Sequence, residues 1–309
     1  MYTNTMPSLV AQGAPHYLYW SPDSRSLAFL ASTPDGLTLF VVDTEAAGPA
    51  VAVDSGAPLY FQWAADGNSI AVHIREELKL IRRPFGTDTQ SFGRGTLGFR
   101  TPALSSDGKR MAYAGIDQTE GSLFIGDVTE PQGATAVLGI GPVAAFTWSP
   151  NGAELAVADQ DSADAPFFGR LRVLTPEGGA VRTIREGPII AFYWSPAGDK
   201  IAWVSFDLGD QQLSWWLAPS SGEPARQLFR FQPSADVLIM LSFFDQYNYS
   251  HSPWSPSGTH LVVAGVQGET TRGQNGHTPT GDRIFVLEAE GTGEPKELAA
   301  GTLAFWSWN

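Results

Sequence analysis

The sequence predicts an all-β fold built from repeated units of four short antiparallel strands. Three observations support this prediction. One motif recurs along the chain: an apolar or aromatic run that ends in Trp, a small polar turn, and a second apolar run. Each repeat contains four strand-length apolar segments separated by turn residues, and most of the 33 Gly and 22 Pro lie in those turns. No segment of useful length shows helical periodicity.

The motif occurs six times, followed by a truncated seventh copy. The copies read YLYWSPDSRSLAFL (17–30), YFQWAADGNSIAV (60–72), TPALSSDGKRMAYA (101–114), AFTWSPNGAELAVA (145–158), AFYWSPAGDKIAWV (191–204), HSPWSPSGTHLVVA (251–264) and AFWSWN (304–309). The residue that ends each first run, called the anchor here, is Trp20, Trp63, Leu104, Trp148, Trp194, Trp254 and Trp308. Successive anchors are 41 to 60 residues apart.

The first unit illustrates the four predicted strands. They cover Tyr17–Trp20, Leu27–Ala31, Leu37–Val42 and Ala50–Val53. Pro22 begins the first turn because its ring fixes φ near the value that position needs, and Pro34-Asp35-Gly36 forms the second turn. The third strands of later units are predicted at Leu123–Gly126, Leu171–Leu174, Leu213–Leu217 and Ile284–Leu287.

Units of this length with four antiparallel strands predict a β-propeller. A lone four-stranded sheet would leave two faces to cover, and radial stacking of the units covers both. The bulky anchor would then lie between neighbouring sheets. A β-sandwich and a β-solenoid are the alternatives, but sandwiches lack a sequence repeat and solenoid coils have shorter periods.

The W-S-P-D/N-G core and its following apolar strand resemble the repeat of the TolB-like propeller family, over residues 14–308. This resemblance implies a propeller that binds a protein or peptide and catalyses nothing. The sequence is also similar to the propeller domain of prolyl-oligopeptidase and dipeptidyl-peptidase proteins. It contains no G-x-S-x-G nucleophile elbow of their hydrolase domain, and it lacks the Trp-Asp and Gly-His pairs of WD repeats.

The ring is predicted to contain six complete blades and a partial seventh. Residues 8–12 are predicted to be the fourth strand of that blade and residues 302–308 its first strand. A six-bladed ring with redundant end strands is the alternative. We expect a single domain over residues 1–309, with an insert at 231–250 before the sixth blade.

Composition limits the partners. The net charge of −13 argues against nucleic acid and anionic membranes, because either would repel the chain. The longest apolar run, at 237–244, is too short to span a bilayer, so no membrane insertion is expected. The absence of Cys excludes disulfides and thiolate sites. We expect a cytoplasmic protein if the N-terminus is complete and a periplasmic one if a signal precedes it. The oligomeric state is left open.

The largest departure from the repeat is the insert, which lengthens the spacing between Trp194 and Trp254. It leads directly into an inner strand, so we expect it near the propeller axis. It either plugs the channel or binds a ligand. The candidate ligand-binding residues are Asp245, Gln246, Tyr247, Tyr249 and His251, and we expect at least three of them to line one cavity on the axis.

Two further candidates come from residues just before the anchors. Positions one and three residues before an anchor are rich in hydroxyl, amide and imidazole groups and are expected to line the axis. His16 adds a second imidazole beside His251. Arg100 is a cation that either holds an anionic ligand group or pairs with a neighbouring Asp.

Other signals are interpreted as structural. The loop at 267–281 is expected to be disordered, and Asp159, Asp161 and Asp164 are expected to form an exposed acidic turn rather than a calcium loop. The G-x-G-x-x-G match at 93–98 is not followed by a helix, so it does not predict a dinucleotide site. No cofactor and no metal are predicted.

The sequence thus favours a non-enzymatic binding module with its partner at one mouth of the channel. Two alternatives are kept. One is a propeller hydrolase or lyase of the lactonase kind, with a metal on the axis. The other is a propeller domain from a longer peptidase-like protein. We predict no catalytic residues.

Overall fold

The computed structural model describes residues 15–34, 36–44, 48–94, 100–222, 224–268, 281–291 and 293–307. The predicted strand at 8–12, the anchor Trp308 and most of the loop at 267–281 lie outside these residues. The described chain is almost entirely antiparallel β-sheet, which confirms the predicted fold class.

The first three units are separate four-stranded sheets whose strands follow in chain order. The first contains β1 (Pro15–Trp20), β2 (Ser26–Thr33), β3 (Gly36–Asp43) and β4 (Val51–Ser55). The second contains β5 (Leu59–Trp63), β6 (Ser69–Ile74), β7 (Glu77–Arg82) and β8 (Asp88–Arg94). The third contains β9 (Ala103–Leu104), β10 (Arg110–Asp117), β11 (Glu120–Asp127) and β12 (Glu130–Gly139).

The remaining strands join into one ten-stranded sheet that contains three units. The fourth unit contains β13 (Ala144–Trp148), β14 (Leu155–Asp159) and β15 (Phe168–Leu174). The long strand β16 (Arg182–Trp194) pairs first with β15 and then with β17, so it is the outer strand of the fourth unit and the inner strand of the fifth. The fifth unit continues with β17 (Lys200–Asp207), β18 (Gln212–Pro219) and β19 (Arg226–Pro233).

The sixth unit has a divided inner strand. The end of β19 pairs with one end of β20 (His260–Gln267), and Trp254 pairs with Leu261 of β20 by an isolated bridge. Two helices lie between these pairings, α1 (Ala235–Ser242) and α2 (Phe244–Tyr247). The unit ends with β21 (Arg283–Glu288) and β22 (Lys296–Ala300). The insert therefore interrupts an inner strand, and the prediction of no useful helix is wrong at α1 and α2.

Burial differs from the inside of each unit to its outside. The second strands are the most buried, and every residue of β14 is buried, because neighbouring sheets cover both of its faces. The outer strands β12 and β22 are largely exposed. This gradient is expected of sheets stacked around an axis. The number of blades, six with a partial seventh or six alone, stays a prediction.

The serine after the anchor locks the motif turn. Its hydroxyl accepts a hydrogen bond from the backbone N–H five residues later in five of the units, as in Glu154 N to Ser149 Oγ at 3.0 Å. The Ser149 hydroxyl also donates a hydrogen bond to Asn151 Oδ1 at 2.7 Å. Unit two has Ala64 at this position. The turn is thus held by side chains as well as by its backbone.

The anchor tryptophans connect each unit to the one before it. Their indole N–H donates to the backbone carbonyl that precedes the previous anchor, at 2.9 to 3.3 Å. The five pairs are Trp63 with Tyr19, Trp148 with Ala103, Trp194 with Thr147, Trp254 with Tyr193, and Trp306 with Pro253. In the C-terminal segment this bond is made by Trp306, and the predicted anchor Trp308 lies outside the described residues.

In unit three, a hydrogen bond to a side-chain amide takes the place of the indole hydrogen bond between units. Leu104 has no donor in its side chain, and its backbone N–H donates to Gln62 Oε1 at 2.7 Å. The side chain of Gln62 therefore links units two and three across the same interface. A hydrogen bond therefore still joins these two units, although the aromatic anchor is absent.

Asp161 and Asp164 lie in an exposed turn as predicted, but the prediction is wrong for Asp159, which is the last residue of β14. Asp159 is fully buried. Its oxygens accept hydrogen bonds from Arg170 at 2.7 and 3.0 Å, Arg172 at 2.9 Å and the Gly141 N–H at 2.8 Å. Burial opposes ionisation of this carboxyl, but the arginine and backbone donors outweigh it and lower the pKa of Asp159.

Truncation of an inter-unit anchor should cost far more than truncation of the first anchor. Trp194 is 6% exposed and Trp20 is 52% exposed. We expect Trp194→Ala to lower the free energy of unfolding by about 3–5 kcal/mol and Trp20→Ala by under about 1 kcal/mol. Urea denaturation measures both. Equal losses would mean that the indole does not join neighbouring units.

Asp159→Asn should be destabilising at neutral pH and much less so in acid. Loss of the charge leaves two arginines without their buried partner, which costs about 3–5 kcal/mol. Because the folded pKa is lowered, the stabilisation is complete above the unfolded pKa of about 4 and is lost as the pH falls through the folded pKa. The difference in unfolding free energy between wild type and variant should therefore be smaller at about pH 3 than at about pH 7. A constant difference would contradict this assignment.

Candidate functional site

The insert begins with a capped helix that is anchored to the C-terminal segment. The Ser234 hydroxyl accepts from the Val237 N–H at 3.2 Å and caps α1. The same hydroxyl donates to the Thr302 carbonyl at 2.5 Å. α1 keeps Leu238 and Ile239 more than half exposed. The helix thus lies at the surface of the ring and directs the chain inward to α2.

α2 lies where inner strands of several units converge. Phe244 is 1% exposed and packs against Phe192 of the fifth unit, with ring centroids 5.1 Å apart. The Gln246 amide bonds to the backbone of Phe61 in the second unit, accepting at 2.9 Å and donating at 2.7 Å. The Tyr17 hydroxyl of the first unit donates to the Gln246 carbonyl at 3.0 Å. These contacts place α2 on the axis.

Asp245 is the most buried charge of the insert. It is 1% exposed, and its Oδ2 accepts from the Thr101 N–H at 3.1 Å. Arg100 Nη1 lies 3.6 Å from its Oδ1. Burial and then the charge of Asp245 raise the pKa values of Tyr193 and Tyr249. Of the two roles considered for Arg100, the structure shows the ion pair with an Asp.

Tyr247 and His251 pack beside the first unit. The rings of Tyr247 and Tyr17 meet edge to face at 5.2 Å. His251 lies 5.5 Å from Tyr247, and its Nδ1 is 2.6 Å from Ser250 Oγ. Burial lowers the pKa of His251. His16 takes no part in these contacts, since it is exposed and bonds to Ser32 Oγ at 2.8 Å.

A cavity of about 310 Å³ opens at the end of the ring where the motif turns meet. It contains the residue two positions after the anchor from each of the first five units, namely Pro22, Ala65, Ser106, Pro150 and Pro196. The rest of its lining is aromatic or neutral and polar: Tyr19, Gln62, Trp63, Leu104, Ser105, Trp148, Ser149, Trp194, Asn248, Tyr249 and Ser252. None of these lining residues is charged.

Of the predicted site residues, Tyr249 lines this cavity. Asp245, Gln246 and His251 instead bond to or pack against the surrounding strands, and the expected grouping of three candidates in one cavity stays a prediction. The Tyr249 hydroxyl is buried and has no hydrogen-bond partner among the described residues. Sequence reasoning missed the turn residues, although their shared position in the repeat could have indicated a common location.

Two absences hold for the described parts of the chain. They contain no group of three or more His, Asp or Glu side chains placed to hold a metal ion. Neither helix in those ranges has the length and apolar character required to traverse a lipid bilayer.

No family model matches the chain, and no curated protein matches it by sequence. Solved propeller structures match the chain by their fold. The chain is similar to the oligogalacturonate lyase of Vibrio parahaemolyticus, with 13% identity and a TM-score of 0.63, over 97% of this chain and 80% of the lyase. TolB from Acinetobacter baumannii shares 18% identity with a TM-score of 0.51, over 91% of this chain and 64% of TolB. The propeller domain of Cps50 (Swd1) from Myceliophteria thermophila shares 16%, with a TM-score of 0.57, over 97% of this chain and 90% of that domain.

These similarities confirm the fold. At such identities they carry no information on ligand or activity. The chain therefore has a TolB-like β-propeller fold, as the motif resemblance predicted, and the function has to be inferred from the site itself.

Truncation of Gln246 should lower the stability of the protein, whereas truncation of Tyr249 should leave it almost unchanged. Gln246→Ala leaves the buried Phe61 N–H and carbonyl without partners, so we expect a loss of about 2–4 kcal/mol in unfolding free energy. Tyr249→Phe removes a hydroxyl that makes no hydrogen bond to the described chain, so stability should change by under about 0.5 kcal/mol. Thermal and urea denaturation test both variants. A stable Gln246→Ala protein would show that α2 does not brace the inner strands.

Proposed function

We propose that the protein is a binding module that receives a neutral peptide segment of a partner protein in the cavity formed by the motif turns. The observation that carries this proposal is the convergence of five equivalent turns and the end of the insert on one uncharged cavity. The size of the cavity is at the lower end of the range for ligand pockets.

The chemistry of the lining favours an uncharged ligand. Tyr19, Tyr249 and the anchor tryptophans offer apolar ring surface, while Gln62 and Asn248 offer amides. Amide donors and acceptors match a peptide backbone, and aromatic rings match apolar or proline side chains. A charged group that entered would lose its hydration without gaining an opposite charge.

The rim of the cavity is rigid before any ligand arrives. Three of the five equivalent turn positions are proline, and serine hydroxyls lock most of the turns from below. A rim that is already ordered loses little entropy on binding, so a modest contact area yields useful affinity.

The insert supports this site from the axis. Gln246 and Asp245 bond to the second and third units, and Tyr249 follows them into the cavity wall. The two roles considered for the insert are then compatible. The first part of α2 braces the channel, and the residues after it contribute to binding. Tyr249 contributes ring surface to the cavity wall, while its hydroxyl is buried without a hydrogen-bond partner among the described residues.

The lyase alternative would require a different site chemistry. The compared oligogalacturonate lyases are named for a substrate rich in carboxylates, and one was solved in complex with manganese. Cations would be needed to receive such a substrate, and the cavity lining offers none. Arg100, which lies near the axis, already pairs with Asp245. This argument favours binding of a neutral peptide over turnover of an anionic sugar.

A mutation that blocks the cavity should weaken binding of the peptide. We expect the wild-type protein to enrich uncharged, proline- and aromatic-containing peptides from a displayed library. Ser106→Trp, at an exposed rim position, should weaken a selected peptide at least about 10-fold, because the indole would occupy part of the cavity, and Tyr249→Ala should also weaken it, because it removes ring surface from the cavity wall. Isothermal titration calorimetry measures these affinities.

The matched control is Ser162→Trp, because Ser162 is an exposed serine in the turn between β14 and β15 and does not line the cavity. Its affinity should equal that of wild type. Enrichment of charged peptides, or equal loss in both tryptophan variants, would contradict the proposal. Cleavage of oligogalacturonate by the purified protein with manganese would assign it to the lyase class instead.

A further inference from the structure

One carboxylate oxygen of Asp245 has a hydrogen-bonding capacity that the described residues do not meet. Its Oδ2 accepts from the Thr101 N–H at 3.1 Å, but its Oδ1 is buried and has no hydrogen-bond partner among those residues. Arg100 Nη1 lies beside Oδ1 at 3.6 Å, which is longer than a hydrogen bond. A buried carboxylate oxygen without a donor carries a large desolvation cost, so a donor is required at this point.

The hydroxyl of Thr101 is a second unmet polar group at the same contact. It is buried, and it too has no hydrogen-bond partner among the described residues. It belongs to the residue whose backbone N–H bonds to Asp245, so the hydroxyl lies close to the carboxylate. Thr101 is 3% exposed and Asp245 is 1% exposed. Two polar groups this deeply buried, side by side, indicate one small partner that serves both.

The hydroxyls that surround the pair are neutral. Burial and then the charge of the carboxylate raise the pKa values of Tyr60, Tyr193 and Tyr249. These three hydroxyls therefore lie within the field of Asp245 and stay protonated at neutral pH. The guanidinium of Arg100 already balances the charge of the carboxylate.

We propose that an ordered water molecule bridges Arg100, Thr101 and Asp245 on the propeller axis. The water donates to Asp245 Oδ1 and accepts from Arg100 Nη1, and the Thr101 hydroxyl is its third partner. A buried water typically makes about three hydrogen bonds to groups that would otherwise be unsatisfied. A polar contact longer than a direct hydrogen bond, as between Arg100 and Asp245, is the geometry at which a bridging water is expected.

Charge and hydrogen-bonding chemistry favour water over a cation. A cation would leave a net positive charge in a buried place, because the guanidinium and the carboxylate already cancel. Water can donate to the carboxylate and also accept from the guanidinium, whereas a metal ion can only accept lone pairs.

The bridge joins the insert to the third unit, because Asp245 lies on α2 while Arg100 and Thr101 precede β9. None of these three residues lines the cavity of the proposed function. Either proposal can therefore fail alone.

High-resolution crystal structures of the whole protein test the site, one from a native crystal and one from a crystal soaked in thallium(I) acetate. Thallium(I) occupies monovalent-cation sites and has a strong anomalous signal, whereas water has none. We expect a density peak within about 3.2 Å of both Asp245 Oδ1 and Thr101 Oγ1, with no anomalous signal after the soak. An anomalous peak there would overturn the proposal in favour of a cation. So would the absence of a peak, or another group of the chain bonded to Oδ1.

Thr101→Val tests the bridge in solution, because valine keeps the shape of threonine and removes the hydroxyl. Loss of a hydrogen bond to the water should lower the melting temperature by about 2 °C or more.

The matched control is Thr147→Val, at another buried hydroxyl of an inner strand that has no hydrogen-bond partner among the described residues. There the melting temperature should stay the same or rise, since an unmet polar group is removed. A Thr101→Val protein as stable as wild type, or more stable, would overturn the bridge. If this variant does not fold, the two crystal structures of the wild-type protein decide.

Discussion

The hydrogen bond from an anchor indole to the carbonyl of the preceding unit sets the geometry on which the other features depend. A tryptophan buried without a partner for its N–H would carry a desolvation cost, so the bond determines where the ring can lie as well as adding stability. Five repetitions hold successive sheets in one register. The same geometry brings the turns after the anchors to one end of the ring, where they form the cavity.

The insert shows how a repeat protein can contain an irregular segment on its axis. The polar side chains of α2 bond to the backbone of the inner strands, as the Gln246 amide does with Phe61 and Asp245 Oδ2 does with Thr101. Backbone partners make this arrangement independent of the side chains of the strands. Burial of the Asp245 carboxylate is then tolerated because Arg100 lies beside it. The Tyr249 hydroxyl is buried without a hydrogen-bond partner among the described residues.

The cavity follows from the way in which successive units meet. It is neutral, concave and bordered by locked turns, which suits a short peptide segment. Five units contribute the same position of the repeat to its lining, so its composition is set by the repeat itself.

The sequence by itself determined the all-β architecture, the strand-turn-strand units and the anchors from Trp20 to Trp254, because period-two alternation and turn chemistry are local properties. It also located the insert near the axis from its position before an inner strand. Only the tertiary structure decided that Trp306 takes the last anchor role, that Asp159 is buried between two arginines, and that Arg100 pairs with Asp245. It also placed the five turns around one cavity. Those outcomes depend on which distant side chains meet, and no local pattern in one sequence records that.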